Sequence, residues 1–430
     1  MSELTAGNHQ LTNGLEVLLI TDPRARSITA SLLGRRGPVH DPPGKPGLAH
    51  LSEHLFLSGV NYGGTAVGEP VEAVGGLVEG TTYRQHIRVE LRTPLHCWRW
   101  TLEYLVELWR RGPSVKEIAS ERQALILECR EAREIPELWV GSLAWDALGQ
   151  DLAFRGFRSE FFDGVSKLSA SDVENWTRGL GSDQWVLCVH SPCPESDLLE
   201  HISRLFNVDG SRGRPRTIVP HRPTAKRIVR LHQSKAAQSS VALLIASGAP
   251  TLRDIASGRV LCSLLSGGTQ GLLFTTLRDK EGLVYDVVSH CVAESDILAI
   301  EVYTSINEGA EDRVTDLIRQ QLEHLLSDGV DPSKLQRAKA FTNGVFDISL
   351  ETPATGGRWL GNRYMSLGRI VAPEEWTESV EQVTPRQVNE FLVRSMESSD
   401  WVWAVSSPRA TGLKGSFYGN AGAQVESVSW

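Results

Sequence analysis

The sequence lacks any apolar run of the roughly 20 residues that a membrane-spanning helix needs. Its first ten residues are polar and do not have the charged-then-apolar pattern of a secretory signal. Six cysteines are scattered over 430 residues, which is too sparse for a disulfide scaffold and favours reduced, mostly buried thiols. We therefore expect a cytoplasmic protein that has no membrane partner.

The chain also has little excess charge. Lys and Arg together number 44 against 52 Asp and Glu, which gives a formal net charge of -8. A mildly acidic protein has no overall field that would attract phosphates, so we expect no nucleic-acid partner. The apolar fraction of 41% and the charged fraction of 22% are typical of soluble globular proteins. The length predicts two to three domains.

The order of predicted elements occurs twice along the chain. In the first half a turn at Asn13-Gly14 leads into a strand, and a second strand precedes a helix that begins at Leu48. From Arg227 onwards two strands again precede a helix, predicted at 257–265. This repetition indicates a duplicated domain. The second copy has apolar residues and Cys262 where the first has histidines, so only the first copy could bind a metal there.

Residues 207–226 separate the two halves. This stretch is rich in Gly, Pro and Arg and poor in apolar residues, which is typical of an interdomain linker. The sequence thus predicts an N-terminal, metal-bearing domain at 1–206 and a homologous C-terminal domain at 227–430.

Two histidines and a glutamate share one side of the helix that begins at Leu48. His50 and His54 are four residues apart, so both imidazoles project from one face, and Glu53 lies on the same side. Two neutral imidazoles are a suitable pair for zinc, and a neighbouring carboxylate can accept a proton from water on the metal. A third ligand would have to come from elsewhere. Histidines at this spacing also occur as ordinary surface residues, so the motif by itself leaves both interpretations open.

A later helix, predicted at 114–134, carries two further glutamates. It opens with Ser114-x-x-Glu117, the pattern of a capping box. Glu121 and Glu128 are seven residues apart and share a face with apolar residues between them, where an unpaired carboxylate is costly. The alternative is a solvated face whose charges are balanced by neighbouring arginines.

The inverted motif His50-x-x-Glu53-His54 resembles the signature of the insulinase/pitrilysin family of zinc metallopeptidases, which includes the mitochondrial processing peptidase and similar bacterial proteins. In that family a distant glutamate completes the site, and Glu121 and Glu128 match the helix that carries it. The resemblance implies Zn²⁺ as cofactor, with His50, His54 and Glu128 as ligands. It implies Glu53 as the general base on a zinc-bound water and Glu121 as a carboxylate behind the ligands, acting in catalysis.

The same resemblance implies an α+β fold of two similar domains, each a largely antiparallel sheet packed against helices. In the second half, Arg278 and Tyr285 stand seven residues apart, as in the family pattern. The resemblance implies that this pair binds the substrate backbone and acts in catalysis by stabilising the oxyanion. An Arg and a Tyr are suitable donors for a developing negative charge.

A strand predicted from about Leu77 to Leu91 departs from the family pattern. The family usually has Asn-Ala-x-Thr where this chain has Glu79-Gly80-Thr81-Thr82. The resemblance implies that these four residues bind substrate, since a peptide added to a sheet edge gains backbone hydrogen bonds whatever its sequence. We expect the acidic side chain at 79 to favour basic residues in the substrate.

The sequence therefore predicts a zinc-dependent endopeptidase that hydrolyses peptides or unfolded segments. The alternative is a non-catalytic or partner-dependent subunit of a heterodimeric peptidase, with a peptide-binding or scaffold role. Because one chain carries both the zinc motif and the Arg278/Tyr285 pair, we expect a homodimer whose sites combine residues of both copies. A heterodimer with a paralogous chain is the alternative assembly.

Overall fold

The structure, a computed structural model, describes residues 4–61, 63–149, 159–206, 221–234, 236, 238–408 and 424–428. Among these residues, no helix combines the length and the apolarity that crossing a bilayer requires. All six cysteines are free, and Cys129, Cys188, Cys262 and Cys291 are buried, as expected for reduced thiols.

The described strands form two six-stranded sheets. In chain order the strands are β1 (Thr5–Gln10), β2 (Glu16–Thr21), β3 (Ser27–Gly34), β4 (Leu77–Thr82), β5 (Ile87–Pro94), β6 (Trp185–Ser191), β7 (Arg227–Gln233), β8 (Gln238–Ser247), β9 (Val284–Ala293), β10 (Leu298–Asn307), β11 (Asp400–Ser407) and β12 (Gln424–Val428).

Helices make up most of the remaining described chain. They are α1 (Leu48–Leu57), α2 (Glu69–Ala73), α3 (Trp98–Arg111), α4 (Ile118–Arg133), α5 (Pro136–Leu148), α6 (Ser159–Ser166), α7 (Ala170–Arg178), α8 (Glu195–Phe206), α9 (Leu252–Ser266), α10 (Glu311–Ser327), α11 (Pro332–Ser349), α12 (Pro353–Leu367), α13 (Pro373–Glu381) and α14 (Pro385–Ser398).

The two sheets have the same strand order. The first runs β1-β2-β6-β3-β5-β4 and the second β12-β7-β11-β8-β10-β9, so β2 to β6 correspond one by one to β7 to β11. In the first sheet β2 and β6 are parallel and the other neighbours are antiparallel. The predicted α+β fold of two similar, largely antiparallel sheets with helices is confirmed.

Two turns of the first sheet illustrate what the local sequence specified. Gly14, with a φ of 87°, closes the turn between β1 and β2, as the Asn13-Gly14 pair predicts. The single strand predicted from Leu77 to Leu91 is wrong. The chain reverses after β4, where the amide of Tyr83 donates to the carbonyl of His86 at 2.8 Å, and β5 returns antiparallel to β4.

The chain divides into two compact units that exchange one segment each. The first comprises Met1–Arg130, Gly156–Thr217 and Ser349–Ala372, and the second comprises Glu131–Arg155, Ile218–Ile348 and Pro373–Trp430. Helix α5 packs on the second sheet and α12 on β3 and β6 of the first. The prediction of two uninterrupted domains at 1–206 and 227–430 did not include this exchange of segments. Of the predicted linker at 207–226, residues 207–220 lie outside the described residues.

Buried side chains explain why α12 joins the first unit. Leu360 and Tyr364 lie in one cluster with Leu18, Leu33 and Val186. Periodicity in a sequence shows that a helix has an apolar face, but not which of two sheets will cover that face.

Candidate metal centre

Helix α1 is anchored at its first turn and along one side. The amides of Leu48 and Ala49 each donate to the carboxylate of Asp41 at 3.0 Å, so Asp41 caps the helix N-terminus. Leu48, Leu51 and Leu55 are at most 1% exposed, which is the apolar stripe predicted from the sequence. The opposite side of the helix carries the two histidines.

The imidazoles of His50 and His54 stand next to each other across one helical turn. Their ring centroids are 4.8 Å apart and their planes make an angle of 79°. One nitrogen of each ring and one oxygen of Glu53 all lie within 4.8 Å of one another. In the part of the chain that the structure describes, no other group of three such side chains is close enough to hold a metal ion.

Glu128 of α4 approaches both histidines from a second helix. Its Oε1 lies 3.6 Å from Nε2 of His50, and its Oε2 lies 3.2 Å from Nε2 of His54. Glu53 is farther away, at 3.9 Å from Nε2 of His50. Two imidazole nitrogens and one carboxylate form a donor set of the kind that catalytic zinc sites use. The residues present therefore fit zinc.

Glu121 lies behind His54, one of the two histidines. Its Oε2 is 3.2 Å from Nδ1 of His54, while Nε2 of the same ring faces Glu128. A carboxylate that accepts the Nδ1 proton fixes the tautomer and the orientation of the ring, which leaves the Nε2 lone pair for a metal. The structure thus brings together the five residues that the sequence selected on α1 and α4.

The start of α4 differs from the prediction. The helix begins at Ile118, after a short 3-10 turn at Val115–Glu117. Ser114 precedes that turn, and its side chain makes no capping hydrogen bond. The predicted capping box at Ser114 is therefore wrong, because the 3-10 turn moves the first helical amides out of reach of the hydroxyl.

Burial and neighbouring charge set the protonation of the cluster. Burial, together with the charge of His54, lowers the pKa of His50 to about 4. Burial also disfavours protonation of His54, but hydrogen bonds and charges of the carboxylates around it outweigh burial and raise its pKa. The hydrogen bond from His54 lowers the pKa of Glu128. At neutral pH His50 is uncharged and Glu128 is ionised, which are the states in which these groups bind a cation.

Strand β4 lies beside Glu53. Thr82 donates a hydrogen bond from Oγ1 to Oε2 of Glu53 at 3.4 Å. Gly80 is two residues earlier, so it faces the same side of the strand, and its missing side chain leaves space for the other Glu53 oxygen. Burial raises the pKa of Glu53 to about 7. Since β4 ends the strand order of the first sheet, its outer edge has no partner strand among the described residues.

Glu79 and Thr81 face the other side of β4. Arg92 and Arg358 both donate to the carboxylate of Glu79, and Nη2 of Arg88 donates to Oγ1 of Thr81 at 2.8 Å. The charge of Glu79 is balanced by two guanidinium groups on the side away from the histidines. The expected preference for basic residues next to Glu79 has to be corrected, because no uncompensated negative charge is left there to attract them.

Sequence analysis missed Arg358, a residue of α12. Its Nη2 donates to Oε1 of Glu90 at 2.8 Å, and Glu90 is fully buried. The signal for such a partner was present in β5, where Arg88, Glu90 and Arg92 alternate with Val89 and Leu91. Charged residues on one face of an inner strand require partners, but the sequence does not say where along the chain the partner lies.

Arg278 and Tyr285 lie together in the second unit. Arg278 belongs to a π-helical segment, Phe274–Lys280, and Tyr285 follows at the start of β9. The guanidinium carbon of Arg278 is 5.0 Å from the centre of the Tyr285 ring. Tyr285 is 83% exposed and Arg278 is exposed as well, so both side chains are available to a ligand. Single π-helical turns are frequent at functional sites.

Comparisons with known proteins agree with these features. The model described as insulinase (peptidase family M16) matches residues 16–136, and the model described as the peptidase M16 inactive domain matches residues 178–341. A protein of Bacillus subtilis named as an uncharacterized zinc protease is 20% identical over 402 residues, which cover 92% of this chain and 97% of that protein.

Solved structures show the same fold. A protease from Helicobacter pylori superposes with a TM-score of 0.80 at 18% identity, covering 93% of this chain and 99% of that one. A chain of complex III2 from Candida albicans also gives a TM-score of 0.80, at 14% identity, covering 95% of this chain and 98% of that one.

Proposed function

Since the chain belongs to the insulinase family, peptidase family M16, we propose that it is a zinc-dependent endopeptidase that hydrolyses peptides or unfolded segments. The observation that carries this proposal is that the carboxylate of Glu128 lies near the Nε2 atoms of both His50 and His54. Glu128, from a different helix, lies 3.6 Å from His50 and 3.2 Å from His54. The first unit thus contains three side chains of a type and spacing that suit zinc.

His50, His54 and Glu128 would hold the ion. Bound zinc supplies Lewis acidity, which lowers the pKa of water to about 7 and polarises a carbonyl group. Glu121 keeps Nε2 of His54 turned towards the metal position by accepting a hydrogen bond from Nδ1. Metal binding would therefore depend on four side chains from two helices.

Glu53 is the proposed general base. It lies on the same side of α1 as the histidines and is held by the hydroxyl of Thr82. It would take a proton from the attacking water and return it to the leaving amine, a role that a buried carboxylate beside the reacting groups can fill. Its Oε2 lies 3.9 Å from Nε2 of His50, so the proposed base stands beside the proposed ligands.

Peptide binding is proposed for two places. The free outer edge of β4, at Gly80 to Thr82, offers backbone groups to an extended peptide. Arg278 and Tyr285, in the second unit, offer donors for a carbonyl oxygen that becomes negative during hydrolysis. This division follows the family resemblance.

The test separates metal binding from chemistry. Glu53→Gln is expected to retain about one zinc per chain, measured by metal analysis, and to lose about 10²- to 10⁴-fold in peptide hydrolysis, because the base is lost while the ligands remain. Glu374→Gln, at an exposed position of α13, is the matched control and should hydrolyse at the wild-type rate. A Glu53→Gln protein with wild-type activity would show that the base is wrongly assigned.

A non-catalytic subunit is the second candidate function. The same fold occurs in a chain of complex III2, and the model that matches the second half is described as inactive. A peptide-binding or scaffold role predicts that the wild-type protein shows no zinc-dependent hydrolysis of unfolded substrates, whether alone or after zinc has been added. Chelator-sensitive hydrolysis that Glu53→Gln abolishes would exclude this candidate.

A further inference from the structure

The carboxylate of Glu53 lies directly against the backbone of β4. A Cβ atom placed on Gly80 would be 2.5 Å from the carboxyl carbon of Glu53, nearer still to Oε1, and 3.0 Å from Cδ1 of Leu57. Atoms in close-packed protein interiors do not approach one another to such distances. Any residue other than glycine at position 80 would therefore exclude the Glu53 carboxylate from its present place.

The backbone of β4 does not itself require this glycine. Gly80 is not among the glycines with positive φ, and it pairs with Val89 in a regular antiparallel register. Glycine inside a strand weakens the strand unless another group approaches closely. The group that approaches Gly80 is Glu53. Close packing of the Glu53 side chain therefore explains why glycine stands at position 80, which neither the strand nor a turn requires.

Glu53 is held from two directions. Gly80 and Thr82 of β4, together with Leu57 of α1, form what we call the Glu53 seat. The hydroxyl of Thr82 donates to Oε2, while the space above Gly80 receives Oε1. Helix α1 fixes the backbone position of Glu53, and the seat fixes the position of its carboxylate.

We propose that Gly80 is a positioning residue for Glu53, because the absence of a side chain at position 80 leaves space for the carboxylate. The catalytic part of the inference depends on the proposed function, whereas the contact between residues 53 and 80 does not.

A stability cycle in metal-free protein tests the contact. Gly80→Ala is expected to lower the Tm by roughly 2–4 °C when Glu53 is present. In a Glu53→Ala background the same change should lower the Tm by less than half as much, because the carboxylate is gone and alanine restricts the unfolded chain. An equal loss of Tm in both backgrounds would overturn the proposal, since the cost would then arise from the strand or from Leu57.

Kinetics tests the consequence for the reaction. Gly80→Ala should lower kcat by roughly 10- to 100-fold, because a displacement of about 1 Å in a catalytic group has effects of this size. KM should stay within about threefold, since the backbone of β4 still offers its hydrogen bonds. Zinc affinity, measured by competition with a chelator, should stay within about twofold, because no ligand moves. Wild-type kcat, or loss of zinc, would contradict the positioning role.

Gly141→Ala is the matched control. It makes the same chemical change at a position where a Cβ would meet nothing within 4 Å, and it should leave kcat unchanged. If the wild-type protein has no peptidase activity, the proposed function fails. The stability cycle then decides by itself whether Gly80 seats Glu53.

Discussion

At the scale of single residues, His54 has a carboxylate at each ring nitrogen. Glu128 faces Nε2 and Glu121 faces Nδ1, each at 3.2 Å. The two contacts have different consequences, because the atom that faces Glu128 is the one that would bind metal. With a metal bound, donation of the Nδ1 proton to Glu121 would leave the Nε2 lone pair to the ion.

Replacing this accepting carboxylate should therefore weaken metal binding without removing a ligand. The amide of Glu121→Gln can donate to Nδ1, which favours the tautomer with its proton on Nε2. We expect zinc affinity to fall by about 10- to 100-fold, measured by competition with a chelator. Glu131→Gln, at an exposed position of the same helix, is the control and should bind zinc like the wild type. Unchanged affinity in Glu121→Gln would show that the ring is oriented by other contacts.

Helix α4 carries Glu121 and Glu128, but few of its residues are buried. Of its residues only Leu125 and Cys129 are buried, and Leu127 is 57% exposed. Arg122 of this helix also donates hydrogen bonds to two backbone carbonyls of the segment around α6. Elements with few buried apolar contacts open most readily. The packing of α4 should therefore depend on what binds between it and α1.

Zinc removal is expected to loosen α4 selectively. Hydrogen exchange of the backbone amides, followed by mass spectrometry with zinc and with a chelator, should show at least a ten-fold faster exchange in α4 after metal loss, equivalent to about 1.4 kcal/mol of local stability. Helix α3 provides the internal control, because residues such as Leu102, Leu105 and Leu108 bury its apolar side. Equal exchange of α4 in both states would mean that the metal does not link the two helices.

Across the whole molecule, two units of the same topology carry different chemistry. The first has the histidines and glutamates on α1 and α4, and the second has Arg278 and Tyr285 near β9. Because one chain holds both sets, a second copy of this chain would supply whichever set a shared site needs. We therefore predict a twofold homodimer, the commonest closed symmetry of soluble oligomers.

Complementation between two inactive chains tests this assembly. Glu53→Gln and Arg278→Ala are each expected to be inactive alone, and a mixed dimer should recover one intact site, about half the activity per dimer by this count. Light scattering should give twice the mass of one chain. If subunits exchange and the mixture stays inactive, each site is built within one chain. A monomer with full activity would contradict the homodimer.

The sequence by itself determined the features that depend on near neighbours. The four-residue spacing of His50 and His54 places both rings on one face of a helix, and the seven-residue spacing of Glu121 and Glu128 does the same. The Asn13-Gly14 turn and the apolar stripe of α1 follow from local rules as well. Each strand and helix is also predicted from near neighbours, so their repeated order along the chain predicted two similar domains.

Tertiary structure decided the contacts between segments that are distant along the chain. Arg358 meets Glu79 although 279 positions separate them, and α5 and α12 each pack on the sheet of the other half. The contact between Gly80 and Glu53 likewise joins a strand and a helix that are separate in the sequence. Local spacing specifies which way a side chain points from its own helix or strand. Which group it meets depends on how buried faces pair, and that pairing minimises exposed apolar area and unpaired charge over the whole fold.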